Sequence, residues 1–415
     1  MDQPVIRQQS QAGLAWTLCH SRDLPGKHNK LLHTVTQRKG RICIVDFLKK
    51  LEYTNKRSEK RGTGRYIMEQ QHKRRVRYSG THPKRFEEKY KEHDPEKYAD
   101  TVAKVISKGS TPAGMHISIM VKEILEVLKI RPGEKGLDAT FGYGGHSRKM
   151  LEQLEGNGHL YALDVDPIEI VKTTERLRQA GYGENILTVI QTNFANLAQV
   201  GNEHGPFDFL LADLGVSSMQ IDNPARGFSY KLDGPLDLRL DPEHGVSAAE
   251  RLRELTADEF EGMLIENSDE PYASQIAEEV YRRMRRGIRI DTTSALAEAV
   301  EAALACVPDS KEKRDLVKKT NQRVFQALRI DVNSEFEVLE AFLDALPDVM
   351  APGGRIAILT FHSGEDRLVK KAFKRYYKEG IFSEISLDVI RPTAEECRAN
   401  GRARSTKLRW AMMQE

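Results

Sequence analysis

Cysteine is scarce in this chain: Cys19, Cys43, Cys306 and Cys397 are its four, far apart and with no C-x-x-C pair. That scatter argues against a disulfide framework and against a structural zinc site, and no metal ligands are assigned. No apolar run approaches the ~18 residues that a membrane helix needs. The opening MDQPVIRQQSQ lacks the charged-then-apolar order of a secretory signal, so a soluble, cytoplasmic protein without membrane contact is expected. Net charge is small as well, +3 on 64 basic and 61 acidic residues, and by itself says little about partners.

The distribution of charge says more. Residues 56–104 carry NKRSEKRGTGRY and HKRRVRYSGTHPKRFEEKYKEHDPEKY, with few aliphatic side chains. One explanation is a solvated basic tail. The other is an RNA surface, on which cations meet phosphates and tyrosine rings meet unstacked bases. Met68 offers an alternative start, which would place the preceding residues outside the native protein.

The chain's length suits two or three domains. Beyond about residue 110 strands and helices alternate. KGLDATFG, GHLYALDVD, NILTVIQTNF, FDFLLADLGV and GRIAILTFHS are apolar runs that end in small or polar residues, and residues 121–130, 147–154 and 167–180 have helical spacing. This alternation predicts an α/β fold with a parallel sheet covered on both faces, and ligands at the carboxyl ends of its strands.

One such end reads LDATFGYGGH, residues 137–146, and places three glycines within four positions. It is a plain turn or a loop that lets backbone approach a ligand. A dinucleotide fingerprint anchored on Gly142 and Gly144 would need Gly or Ala at 147, where Ser147 stands. No G-K-[ST] follows, so a nucleotide-hydrolysing phosphate loop is not expected either. Asp164, at the end of the next strand, remains well placed to accept hydrogen bonds from two ribose hydroxyls, and S-adenosylmethionine becomes the leading cofactor.

The motifs LDATFGYGGHSRKML, ALDVDP, NFANL, DFLLADLGVSSMQIDNPARGFSYKLDGPLDLRLD, RVFQALRIDVNSEFEVLE, APGGRIAILTFHSGEDRLVK and GRARSTKLR occur in that order. In combination they resemble the bacterial small-subunit rRNA (cytosine-N4)-methyltransferase family, also called MraW, over residues 114–415. The resemblance implies a class I S-adenosylmethionine-dependent methyltransferase (Rossmann-like) acting on 16S rRNA of the small ribosomal subunit, at the N4 of a cytidine near the decoding centre. It further implies that Gly144, Gly145 and His146 bind the methionine and backbone side of the cofactor and that Asp164 holds its ribose. Phe194 would lie against the adenine, with Asp213 and Gln220 completing the pocket. The chain departs from the family's usual pattern in MHISIMVKE, which keeps His116 and Glu123 but lacks a proline, in Gly364 of FHSGEDR, and in TNQRVFQALR, which lacks a His-Pro. The long basic arm is an addition to the shorter family members.

Chemistry supports Asp213 as the catalytic group. Cytosine N4 is a weak nucleophile because its lone pair is delocalised into the ring. An enzyme therefore has to align the amine with the sulfonium methyl and accept its N–H hydrogens as charge develops. Acceptors are needed and a cysteine nucleophile is not. DLGV, at this strand end, also lacks the prolines and aromatic of the DNA amino-methylase motif. A helix cap is the alternative role for Asp213.

From 233 to 320 the strand pattern gives way to helical periodicity in SAAERLREL, DEFEGMLIENS, YASQIAEEVYRRMRRG and TTSALAEAVEAALACV. The expected organisation is a basic extension over 1–110, a methyltransferase core over 111–232 and 321–415, and an inserted helical domain over 233–320 that either clamps RNA or only packs. Arg282, Arg283, Arg285 and Arg286 are expected phosphate contacts, since four arginines in five positions cannot all point into a core. His362 and Lys407 are assigned to substrate RNA with them. A methylase of another RNA or a small acceptor, or an RNA-binding assembly factor without turnover, are the alternatives. The oligomeric state stays open, a homodimer among the arrangements allowed.

Overall fold

The computed structural model describes residues 118–415; the basic extension over 1–110 and His116 lie outside the described residues. Seven strands form one sheet: β1 Lys135–Asp138, β2 His159–Asp164, β3 Leu187–Gln191, β4 Phe207–Asp213, β5 Met350–Thr360, β6 Phe382–Ile385 and β7 Lys407–Met413. Their order is β3-β2-β1-β4-β5-β7-β6. The first five run parallel, and β7 is antiparallel to both β5 and β6. This is the class I methyltransferase arrangement.

The sheet is therefore mixed rather than wholly parallel, because of a strand that apolar runs do not reveal. β7 contains Lys407 and Arg409, and Arg409 is buried only because its Nε donates to Asp366 Oδ1 at 2.7 Å. By contrast β4, FDFLLAD, is covered on both faces and reads as a near-continuous hydrophobic run.

Helices Val121–Leu128, Gly145–Leu154 and Pro167–Gln179 pack their apolar stripes on one face of the sheet. Leu197–His204, Glu335–Val349 and Ser363–Lys378 cover the other. Between β4 and β5 lie helices Ala248–Glu254, Ala257–Ser268, Ala273–Arg285, Thr293–Ala303 and Lys311–Val332, which share a separate apolar cluster reaching from Phe228 to Leu328. The boundary expected at residue 320 falls inside the last of these helices, whose Val324, Phe325 and Leu328 are buried in that same cluster. Among the described residues no helix is long and apolar enough to cross a membrane.

Candidate active site

β1 has β2 on one side and β4 on the other, so the strand order reverses there, and in open α/β sheets such a switch point places ligands in a crevice beyond the carboxyl ends of the strands. Three carboxylates mark that edge: Asp138, Asp164 and Asp213 are the last residues of β1, β2 and β4. Their surroundings give them three different tasks.

Asp138 is buried and structural. Its Oδ2 accepts from Ser147 Oγ at 2.5 Å and its Oδ1 from Thr140 N at 3.1 Å. Burial pushes its carboxyl above the usual range, against the pull of the Ser147 hydroxyl. The serine that breaks the dinucleotide fingerprint thus ties the start of helix Gly145–Leu154 to β1.

Asp164 holds the glycine loop from the other side. It accepts from Gly142 N at 2.6 Å and from Asp166 N at 2.9 Å. Burial pushes its carboxyl up to about 6 even so, since these N–H donors only partly replace lost hydration. The loop is further fixed from helix Pro167–Gln179: Thr173 Oγ1 donates to the Gly142 carbonyl at 2.9 Å, and Arg176 donates to the Tyr143 carbonyl while stacking on its ring. Gly144 has φ +69°, and a Cβ there would stand 2.7 Å from Thr173 Cγ2; one on Gly145 would collide with Ser118 Oγ. The left-handed φ requires glycine at 144, and at 145 it leaves the Ser118 hydroxyl in place.

Asp213, half-buried, closes β4. Its backbone N–H donates to Thr140 Oγ1 at 2.7 Å, which locks the end of β4 to the glycine loop. Its Oδ2 lies 3.4 Å from His146 Nδ1, and His146 Nε2 lies 2.9 Å from the Ile119 carbonyl. Burial pulls the imidazole pKa down, but the hydrogen bond and charge of Asp213, helped by the Ile119 carbonyl, outweigh it and raise it above the ordinary value. Asp213 Oδ1 is buried and has no hydrogen-bond partner among the described residues.

A second, buried network stands behind this edge. Asp166 caps helix Pro167–Gln179 through the N–H groups of Ile168 and Glu169, and its other oxygen accepts from Arg226 Nη1 at 2.7 Å and Gln220 Nε2 at 2.9 Å. Arg226 also donates to the carbonyls of Arg239 and Leu240 at 3.1 and 2.8 Å. The chain leaving β4 is thereby fastened to the end of β2.

Gly144, Gly145, His146, Asp164 and Asp213 converge on one edge as expected from sequence. Phe194, in the turn Phe194–Asn196 that follows β3, is half-buried with its ring edge-on to Phe342 at 5.1 Å. Gln220 is a wall: its Oε1 accepts from Ser217 N and its Nε2 is held by Asp166, so the amide is already engaged. Asp166 and Arg226 were missed. The Asp-Pro step is a legible helix start, whereas nothing local in NPARGF announces a buried arginine whose partner is 60 positions away.

The expected RNA contacts divide. Arg282 and Arg283 both pair with Glu279 one turn earlier, at 2.6 and 2.8 Å, and Arg283 also reaches the Glu298 carbonyl; they brace the helix. Arg285 and Arg286 are exposed and without ion pairs among the described residues. Lys407 is engaged by Asp366 at 3.1 Å, beside Arg409. His362 caps helix Ser363–Lys378, with its Nε2 3.0 Å from Glu365 Oε1 but off the line of a hydrogen bond. Glu335, His362 and Glu365 bring ligand atoms within 4.8 Å of one another, and the cation they already hold is Arg329, which forks Glu335 at 2.6 and 2.8 Å. Burial raises the Glu365 carboxyl, yet His362 and Arg329 more than offset it and hold it below the usual value. Gly364 is explained by Phe336, whose ring would stand 2.6 Å from a Cβ there.

Residues 113–414 match the model of the MraW methylase family. The chain belongs to that family. A member from Lachnoclostridium phytofermentans, named ribosomal RNA small subunit methyltransferase H 1, is 65% identical over 341 residues, which are 82% of this chain and 93% of that one. The protein of the same name from Agathobacter rectalis is 63% identical over 347 residues, 84% of this chain and 99% of that one. More distant is a ribosomal RNA small subunit methyltransferase H of Thioalkalivibrio sulfidiphilus, 40% identical over 319 residues, 72% and 98% of the two chains. The first two alignments are longer than the family match, so likeness to these MraW members extends upstream of residue 113 into the basic segment.

Proposed function

We propose that this chain transfers a methyl group from S-adenosylmethionine to the exocyclic N4 of a cytidine in the small-subunit (16S) rRNA, near the decoding centre. Relatives named as small-subunit rRNA methyltransferases support the substrate class. The observation that carries the chemistry is the buried, unpartnered Oδ1 of Asp213 at the switch point of the sheet. An orphaned carboxylate oxygen is costly unless a donor completes it, and an amine N–H is such a donor.

The residues present fit the cofactor. Asp164 has no cationic partner among the described residues, so ribose hydroxyl donors would stabilise its ionised form. Gly144, Gly145 and His146 would meet the methionine end, Phe194 the adenine, and Gln220 stiffens the wall. S-adenosylmethionine supplies the electrophilic methyl group. Asp213 Oδ1 accepts an N–H of the acceptor amine, orients its lone pair and offsets the positive charge that grows on nitrogen. His146, as an imidazolium, fixes the other carboxylate oxygen, so that the buried Oδ1 is the acceptor left without a partner for an amine that enters beside it. A C5 methylation would instead need a thiolate at the strand ends, and the residues after β4, LGVSS, contain no cysteine.

The helices between β4 and β5 serve in this scheme as a cover over the crevice, held to the cofactor edge through Arg226. Mass mapping of methylcytidines in rRNA from cells with and without the gene tests the assignment. Loss of one N4-methylcytidine in the small-subunit RNA is expected, and an unchanged map would refute it.

A further inference from the structure

Helix Ser363–Lys378 leaves the sheet just beyond Thr360 of β5, and the neighbouring strand β4 ends in Asp213, which pairs in register with Leu359. The helix therefore begins at the reaction edge. Its buried side is Val369, Ala372, Phe373 and Tyr376. At 100° per residue the opposite side is Arg367, Lys370, Lys371, Lys374 and Lys378, all exposed. None of the five side chains makes an ion pair or hydrogen bond among the described residues, and Tyr377, 50% exposed, stands at the border of the stripe beside Lys370 in projection. The acids at the start of the helix are spent elsewhere, Glu365 on the cap and Asp366 on Lys407 and Arg409.

Five cations on one outward stripe repel one another, and none of them is paired with an acid among the described residues. A solvated face normally mixes signs, as the adjacent helix Glu335–Val349 does not do either: it exposes Glu337, Glu340, Asp344 and Asp348. Among the described residues Arg375 makes the ion pair between the two helices, to Asp344 at 2.6 Å, and the Tyr376 hydroxyl donates to the Leu343 carbonyl at 3.2 Å. The groove of about 870 Å³ between them has Glu340 and Asp344 on one flank and the five stripe cations with Arg375 on the other, so cations outnumber acids three to one and the stripe is the flank a polyanion would meet. From Arg367 to Lys378 the stripe extends ~17 Å at a rise of ~1.5 Å per residue, enough for several phosphates.

We propose that this stripe is a docking rail for the RNA backbone flanking the target cytidine, with Tyr377 as a surface for an unstacked base. The inference rests on the rRNA reading above and specifies where that RNA is held outside the reaction crevice. It replaces Arg282 and Arg283 as the main phosphate contacts. Because the rail leads away from the crevice, it supplies affinity and leaves the chemical step alone.

The test is a fourfold variant of the full chain, Lys370→Gln, Lys371→Gln, Lys374→Gln and Lys378→Gln, with a fourfold Lys→Arg variant and Arg285→Gln/Arg286→Gln as comparisons. Binding to a fluorescent small-subunit rRNA transcript would be followed as a function of salt. Each phosphate contact on a single strand contributes ~0.7 to the slope of log K against log salt, so four should flatten it by up to about 3. KM for RNA should rise tenfold or more while the single-turnover rate at saturating RNA stays within about twofold and cofactor affinity is unchanged. The Lys→Arg variant should restore wild-type behaviour. An unchanged slope and KM in the glutamine variant, or a loss confined to the saturating rate, would overturn the rail, as would a slope that falls only in the Arg285/Arg286 variant. A wild-type chain that neither binds nor methylates small-subunit RNA would instead remove the rRNA reading and the rail with it.

Discussion

His146 Nδ1 stands 3.4 Å from Asp213 Oδ2, joining the glycine loop to the end of β4 across the reaction edge. On its far side His146 Nε2 meets the Ile119 carbonyl, which can only accept, so Nε2 carries a proton. A second proton on Nδ1 gives each ring nitrogen an acceptor and makes the pair ionic.

This pairing predicts a titration. A histidine whose folded pKa is raised contributes stability that is fully present below its unfolded value of 6.5 and is lost as pH rises through the folded value. NMR titration of the His146 ring should place its pKa above that of a free imidazole. Asp213→Asn should bring it down, because burial then acts with far less opposition. A wild-type ring that titrates at or below the free value would contradict the pair.

Asp164 predicts a pH dependence of opposite origin. Its carboxyl is pushed up to about 6 by burial, and hydroxyl donors favour its ionised form, so cofactor binding should weaken as pH falls below about 6. Asp164→Asn should flatten that profile. Asp164→Ala should weaken binding by about 1.5–3 kcal/mol, the scale of a charged hydrogen bond. Calorimetry from pH 5 to 8 reads both effects, and equal affinity across that range in the wild type would show that Asp164 does not contact the cofactor.

What sequence disclosed of this edge follows from how locally each feature is encoded. The strands β1 to β5 are apolar runs, and the carboxylates at their ends punctuate them, so Asp164 and Asp213 could be placed before the sheet was seen. β7 could not, since its Arg409 is buried by virtue of Asp366 on a distant helix. Four arginines in five positions put Arg282 and Arg283 outside the core, and only the folded helix shows that Glu279, on the same side one turn back, engages both. The same blindness hid Arg226.

Arg226 gives a stability prediction. Asp166 is fully buried, and Arg226 neutralises it while fastening the segment that follows β4. Arg226→Met leaves a buried carboxylate unpaired and should cost about 3–5 kcal/mol in chemical denaturation. Asp166→Asn combined with Arg226→Met should cost less than the single change, since no uncompensated charge remains. A double variant as unstable as the sum of its singles would show that the two residues act independently.

The reaction itself is tested by setting two residue types against each other. Asp213 is proposed to hold the acceptor amine, and no cysteine is proposed to bond the base. Among the described residues the cysteines are Cys306, which is exposed, and Cys397, on the short helix Ala394–Ala399; neither belongs to a strand end. Replacing all four cysteines by serine or alanine should therefore leave methyl transfer largely intact in a folded protein. Asp213→Asn keeps the shape of the side chain, removes its charge and turns one oxygen into a donor that opposes an amine N–H. Turnover should fall by roughly 10²-fold or more, as when a preorganised electrostatic group is lost. Single-turnover transfer from radiolabelled S-adenosylmethionine to small-subunit RNA reads both. A wild-type rate in Asp213→Asn, or a folded cysteine-free chain that is inactive, would reverse the assignment and point to attack through a covalent base adduct at C5.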